Sequence, residues 1–260
     1  LDIAAGILIH GTRHGTVGAV ALGLANHGTI KADASGMTIT VTGTNWTNDG
    51  TLWANTGTLT TAGSWSSSGA SDLIQVDATG TLNLGGTFTT SAISGNVTRA
   101  TGSTVNLVNT LDLATGSYDL GAAGNIGSLV LLNNAAVQNG TLLTTNATSA
   151  TLASFANVTF TGVTLGNGTA NSGNVTANNG ADLFIGSGGL DLNAGKITLN
   201  DQGSTTTLTL LGNGTQQLRG SGEVIFGGTS SAGIVSSSAA GSTLDIAAGI
   251  LIHGTRHGTV

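Results

Sequence analysis

Leu1 to Val17 reads LDIAAGILIHGTRHGTV, and Leu244 to Val260 reads the same, letter for letter. An identity of seventeen residues does not arise by chance, and it sets an offset of 243 residues. We read 1–243 as one tandem unit and 244–260 as the start of the next, so the chain is a window on a longer array. A reacting site needs one copy, whereas a rod needs many. The repeat therefore points to a fibre or stalk before any local pattern is considered.

The composition agrees with a stack and with little else. Charged residues make up 7% of the chain, against about 25% in ordinary globular domains. Glycine contributes 43 residues, and proline and cysteine are absent. Apolar residues still reach 39%, so a core can form, and aromatics at 3% leave it to Leu, Ile, Val and Ala. The net charge of −6 is thinly spread and no basic patch is present. Nucleic acid is disfavoured as a partner on that ground. No apolar run approaches the roughly 20 residues that span a bilayer. Without cysteine there is no disulfide framework and no thiolate metal site.

Working outward from the repeated stretch, its Leu1-Asp2-Ile3 triplet has many relatives. Ile39-Thr40-Val41, Leu82-Asn83-Leu84, Val105-Asn106-Leu107, Leu111-Asp112-Leu113, Leu190-Asp191-Leu192 and Leu208-Thr209-Leu210 share its form. This is the period of two expected of a strand with one buried face, and the central polar residue is expected to point outward. Gly, Asn, Ser and Thr recur too densely for a helix. Asn-x-Gly-Thr and Asn-Gly-Thr steps lie between triplets, as at Asn26–Thr29, Asn48–Thr51, Asn55–Thr58 and Asn213–Thr215. They read as corners, on the ground that Gly and Asn tolerate positive φ.

Triplets recur every 23 to 25 residues, as from Leu82 to Val105 and from Leu183 to Leu208. That spacing suits a coil of two or three short strands. A unit of 243 residues then holds about eleven coils and rises on the order of 50 Å at about 4.8 Å per strand. A hairpin sandwich would give similar short strands. The small aliphatic residues, the strands of three to five residues and the uncapped repeat favour the all-β parallel solenoid. Coiling also leaves every strand paired on both sides except at the ends of the array.

The Asn-x-Gly-Thr-Leu steps, the LDL and LNL triplets and Gly212 to Gly228 (GNGTQQLRGSGEVIFGG) resemble bacterial β-strand-repeat surface proteins. That group includes filamentous-haemagglutinin-type adhesins and autotransporter passenger domains. The resemblance covers the whole chain and lies in composition and rhythm. It implies a right-handed parallel β-helix, secretion and a place at the cell surface.

Few residues suggest chemistry. His10 and His14 are four apart, a metal-binding spacing on a helix, but in extended chain they stand roughly 13 Å apart. The same group recurs at 253–257. The expectation is a polar corner without metal, which in an array forms a periodic band able to contact a neighbouring unit. Trp46, Trp53 and Trp65 are the only tryptophans. They are candidates for packing or an interface, or, if exposed in a row, for stacking on a glycan. Eleven Asp and Glu223 supply the acid, with no two adjacent. Asp182 and Asp191 near Lys196 come closest to the paired carboxylates that polysaccharide cleavage requires. Neither an enzyme nor a cofactor is expected. Some asparagines are expected to form interior ladders along the stack. The reading is thus a structural repeat of an extracellular surface fibre, whose partners are other copies of itself, axially and side by side. The alternative is an adhesin segment that binds glycan.

Overall fold

The structure is a computed structural model that describes residues 1–67, 69, 71–254 and 257–260. The chain is an all-β parallel solenoid, and its two compact units together hold about eleven turns. One unit is Leu1–Asp112 with Ala122–Gly127, and the other is Leu113–Gly121 with Ser128–Val260.

In the first unit each coil has three strands. The first coil is β1 (Asp2–Ile3), β2 (Leu8–His10) and β3 (Gly15–Gly18). The second is β4 (Ala25–Asn26), β5 (Thr29–Ala32) and β6 (Thr38–Thr42), and the third is β7 (Trp46–Asn48), β8 (Thr51–Ala54) and β9 (Thr58–Thr61). The fourth comprises β10 (Trp65–Ser67), β11 (Leu73–Val76) and β12 (Thr81–Leu84). The fifth comprises β13 (Thr87–Thr89), β14 (Val97–Arg99) and β15 (Thr104–Leu107), and β16 (Thr110–Asp112) pairs with β13. Equivalent strands pair parallel, giving the sheets β1-β4-β7-β10, β2-β5-β8-β11-β14 and β3-β6-β9-β12-β15.

The register explains the triplets. Ile30, Leu52, Ile74 and Val97 are aligned partner to partner through the second sheet, and all four are buried. Ile39, Leu59, Leu82 and Val105 do the same through the third. Like packs on like because each coil repeats the phase of the one before it. Each such side chain contributes on the order of 1.5–3 kcal/mol by leaving water. The intervening Thr, Asn and Asp face out, and Asn106 donates to Asn83, which donates to Thr60.

The second unit follows the same plan with longer strands that bend at a corner. It contains β17 (Ser117–Asp119), β18 (Leu129–Leu131), β19 (Ala136–Leu143), β20 (Ala150–Leu152), β21 (Asn157–Leu165), β22 (Asn174–Asn178) and β23 (Asp182–Ile185). These are followed by β24 (Leu190–Asn200), β25 (Thr206–Leu210), β26 (Thr215–Phe226), β27 (Gly233–Ser237), β28 (Thr243–Ile246), β29 (Gly249–Gly254) and β30 (Gly258–Thr259). One column runs Val158, Leu183, Leu208, Val235, and another Val175, Ile197, Val224, Ile252. β24 bends where its register shifts between Asn193 and Gly195, with Ala194 at φ 61°.

The corners differ from the sequence expectation. Gly140, Gly168 and Gly214 do take positive φ, but Gly28, Gly50 and Gly57 do not. Those three are glycine because the neighbouring coil passes too close. A Cβ on Gly28 would strike the Ile7 carbonyl oxygen, and one on Gly50 would strike that of Gly28. The asparagines of the first two of these steps turn inward. Asn26 and Asn48 are fully buried, Asn26 donates to Asn48 at 2.7 Å, and Asn48 donates to Ser67 at 3.1 Å. An amide ladder therefore runs inside that corner, and the glycine beside it lets the coils close on it.

The repeated stretch forms the same rung in both units. Asp2–Ile3, Leu8–His10 and Gly15–Gly18 pair with 25–26, 29–31 and 39–42. The strands that contain their copies, Thr243–Ile246, Gly249–Gly254 and Gly258–Thr259, pair with 215–218, 221–226 and 233–234. The corner recurs as well, with Ile7 N–H donating to the Ala4 carbonyl at 3.2 Å and Ile250 N–H to that of Ala247 at 3.0 Å.

Candidate functional site

The three tryptophans do not form a row. Trp46 (β7) and Trp65 (β10) are register partners on the inner face of the first sheet. They are 0% and 5% exposed and stacked at 5.4 Å between centroids, and Phe88 extends the stack at 4.8 Å from Trp65. Their indole N–H groups donate to the carbonyls of Ala62 and Gly85. Neither ring is presented to a ligand. Trp53, in β8, faces outward and is half-buried.

Around Trp53 lies an outer column on the second sheet: His10, Lys31, Trp53, Gln75 and Thr98, one residue per coil. The Lys31 ammonium lies 4.2 Å from the centre of the Trp53 ring, a cation–π contact. Trp53 donates to Asp77, as do Asn55 and Gln75. The Gln75 amide foremost, with the Asn55 amide, the Trp53 indole N–H and the Lys31 charge, holds the Asp77 carboxyl below its ordinary range although burial pushes it up. A second carboxylate, Asp33, takes His10 Nδ1 at 3.0 Å and Lys31 at 4.0 Å.

His10 and His14 do not converge. His14 Nδ1 accepts from the Thr38 backbone N–H at 3.0 Å, while His10 faces Asp33. The 9–17 segment and Ile39 line an open cavity of about 330 Å³. Among the described residues no three His, Cys, Asp or Glu side chains could hold a metal ion. In the other copy His253 Nε2 meets Glu223 at 3.2 Å, and Lys196 approaches the same carboxylate at 3.5 Å. Hydrogen bonding by His253, with Lys196 adding to it and burial opposing, lowers the Glu223 pKa. Arg256 of the repeated motif lies outside the described residues, and His257 is exposed.

The carboxylates do not pair. Asp182, in β23, accepts from the Thr207 hydroxyl, and Asp191, in β24, is bound by Arg219 at 2.9 Å. Lys196 serves Glu223 instead. A column missed in the sequence is Asp2, His27 and Asp49, with the imidazole 3.8 Å and 3.7 Å from the two carboxylates. Its only sequence signal is a separation of about one coil between members, which becomes legible once the coil length is known.

Set beside known proteins, the chain matches no family model, no curated protein and no solved structure. Its function must be argued from its own geometry. That geometry offers half-exposed ion pairs aligned along the stack, one outward tryptophan already engaged by a lysine, and interior aromatic and amide ladders. Among the described residues no helix is long and apolar enough to cross a membrane.

Proposed function

We propose that the chain is a structural repeat of a long extracellular surface fibre that stacks on further copies of itself. The observation that carries this reading is the doubled rung. Seventeen identical residues make the same three strands twice. One copy uses one edge to pair with the coil that follows it, and the other uses the opposite edge to pair with the coil that precedes it. Merging the two gives one rung with both edges satisfied and a stack with no seam, as a quasi-one-dimensional repeat requires.

The mechanism is mechanical. Backbone hydrogen bonds run along the axis, aliphatic and aromatic columns fill the interior, and Thr, Asn, Asp and Ser cover the outside. At a net charge of −6 over 260 residues, long-range repulsion between neighbouring fibres is small, which supports side-by-side bundling. The location outside the cell, on a bacterial surface, rests on the rhythm of the sequence alone. The glycan-binding alternative retains only Trp53, and the Lys31 ammonium already lies over that ring, so the fibre is the better-supported role. Electron microscopy of the native material tests it. Uniform filaments with an axial period on the order of 50 Å, or a multiple of it, are expected. Globular particles or a fibre without that period would refute it.

A further inference from the structure

The rung's histidine uses a different nitrogen in each copy. His10 engages Asp33 of the following coil through Nδ1 at 3.0 Å, and His253 engages Glu223 of the preceding coil through Nε2 at 3.2 Å. These are the same position of the repeat. Nε2 of His10 and Nδ1 of His253 have no hydrogen-bond partner among the described residues. Each copy thus shows half of a two-sided contact. Each carboxylate also has a lysine beside it, since Lys196 of the coil before lies 3.5 Å from Glu223 and Lys31 of the same coil lies 4.0 Å from Asp33.

We propose that the face formed by β4, β5 and β6 is a docking surface for the rung 244–260 of another copy of this repeat, and that the rung's histidine clamps the joint. The incoming rung takes the register that 1–17 holds: its Asp245 and Ile246 on Ala25 and Asn26, its Leu251 to His253 on Thr29 to Lys31. Identical sequence makes every one of these pairings available. The imidazole then donates from Nε2 to Glu223 of its own copy and from Nδ1 to Asp33 of the next, carrying both N–H groups. The result is an unbroken chain of contacts through Lys196, Glu223, His, Asp33 and Lys31, running diagonally across the register. A one-residue slip would turn the histidine to the other face and break this chain of contacts, so the clamp fixes register as well as adhesion. This inference rests on the fibre reading and adds the identity of the axial contact.

A consequence follows that no generic stacking model shares. When a second 260-residue chain joins in this way, its 244–260 rung replaces the resident 1–17 rung. Identical substitutions in the two copies must therefore act in opposite directions. In sedimentation velocity on the whole chain over a concentration series, wild type is expected to associate end to end. H253A is expected to weaken that association about 3- to 10-fold, the range for charge-assisted contacts at half-exposed positions. H10A is expected to strengthen it by a similar factor, because it loosens the rung that must leave. D33N weakens both competing rungs alike and is expected to change little. Circular dichroism checks that each variant stays folded. Absence of association in wild type overturns the proposal. So does a shift of H10A and H253A in the same direction, or of neither. Association without the opposed shifts would leave the fibre reading standing while refuting the clamp, whereas native material without an axial period would strike the fibre reading alone.

Discussion

Replacing Trp46 asks whether the tryptophans serve the interior or a ligand. The ring is fully buried, stacked on Trp65 at an interplanar angle of 16°, and its N–H donates to the Ala62 carbonyl at 2.8 Å. Trp46→Ala removes the largest side chain in that part of the core. A cavity of this kind costs about 3–5 kcal/mol, of which roughly 0.5–1.5 kcal/mol belongs to the aromatic stack itself. Trp46→Phe keeps a ring in the stack but leaves the Ala62 carbonyl without its donor, for about 1–3 kcal/mol. Trp53→Ala loses a half-exposed ring, one cation–π contact and one donor to Asp77, for about 1 kcal/mol. The expected order of destabilisation is therefore W46A, then W46F, then W53A. Urea unfolding followed by far-ultraviolet circular dichroism measures it without relying on the deleted fluorophore. Amide exchange should localise the damage to the coils around 46–88, leaving β20 to β26 as protected as in wild type. A W46A protein within about 0.5 kcal/mol of wild type, or a W53A protein as damaged as W46A, would show that the stack is not where the core gains its stability.

Three further outcomes are expected. Asn48→Ala breaks the buried amide ladder and strands the Asn26 amide N–H, while Ser67 keeps Asp72 and Asn96, and should cost about 1–3 kcal/mol in the same urea assay. Gly63→Ala adds a Cβ at φ 75° against the Gly43 carbonyl oxygen, where nothing flexible can yield, and should cost more than about 2 kcal/mol by thermal unfolding. Asp119 supplies a pH test: burial pushes its carboxyl up, but the Thr145 hydroxyl and the N–H groups of Thr145 and Gly121 outweigh this and leave it lowered. A lowered folded pKa gives stability that is present above the unfolded value of about 3.9 and lost as pH falls through the folded one. Stability of the coils around 119–145 should therefore decline as pH drops below about 4, and Asp119→Asn should flatten that part of a pH–exchange profile.

What the sequence revealed follows from which contacts are local. The triplets were legible because alternation is set by the pleat and burial at Ile39, Val41, Leu82 and Leu84 depends on nothing distant. The pairing of outward residues was not, because it depends on coil length, which varies with each corner. Trp46 pairs with Trp65 nineteen residues on, Leu52 with Ile74 twenty-two on, and Leu190 with Leu218 twenty-eight on. The nineteen-residue coil puts Trp46 over Trp65, whereas Trp53, on the next strand of Trp46's own coil, is aligned with Lys31 and Gln75 in another sheet. The Asn-x-Gly-Thr corners show a second limit. Asparagine and glycine were read through the freedom of their own φ, whereas at Gly28 and Gly50 the decisive fact is the backbone of the neighbouring coil. Such a constraint is invisible until the coils are in register.

The same consideration says where function can reside in such a chain. An inward position is dictated by the columns above and below it, so Trp46, Asn48 and Leu52 are not free to serve a ligand. An outward position is constrained only by its two axial neighbours, so chemistry there tends to take the form of columns such as Asp2, His27 and Asp49. Within the solenoid each column is completed by its own chain. At the rung that occurs twice, the histidine meets a carboxylate of the following coil in one copy, at His10, and of the preceding coil in the other, at His253, and these are the two halves that the proposed clamp joins.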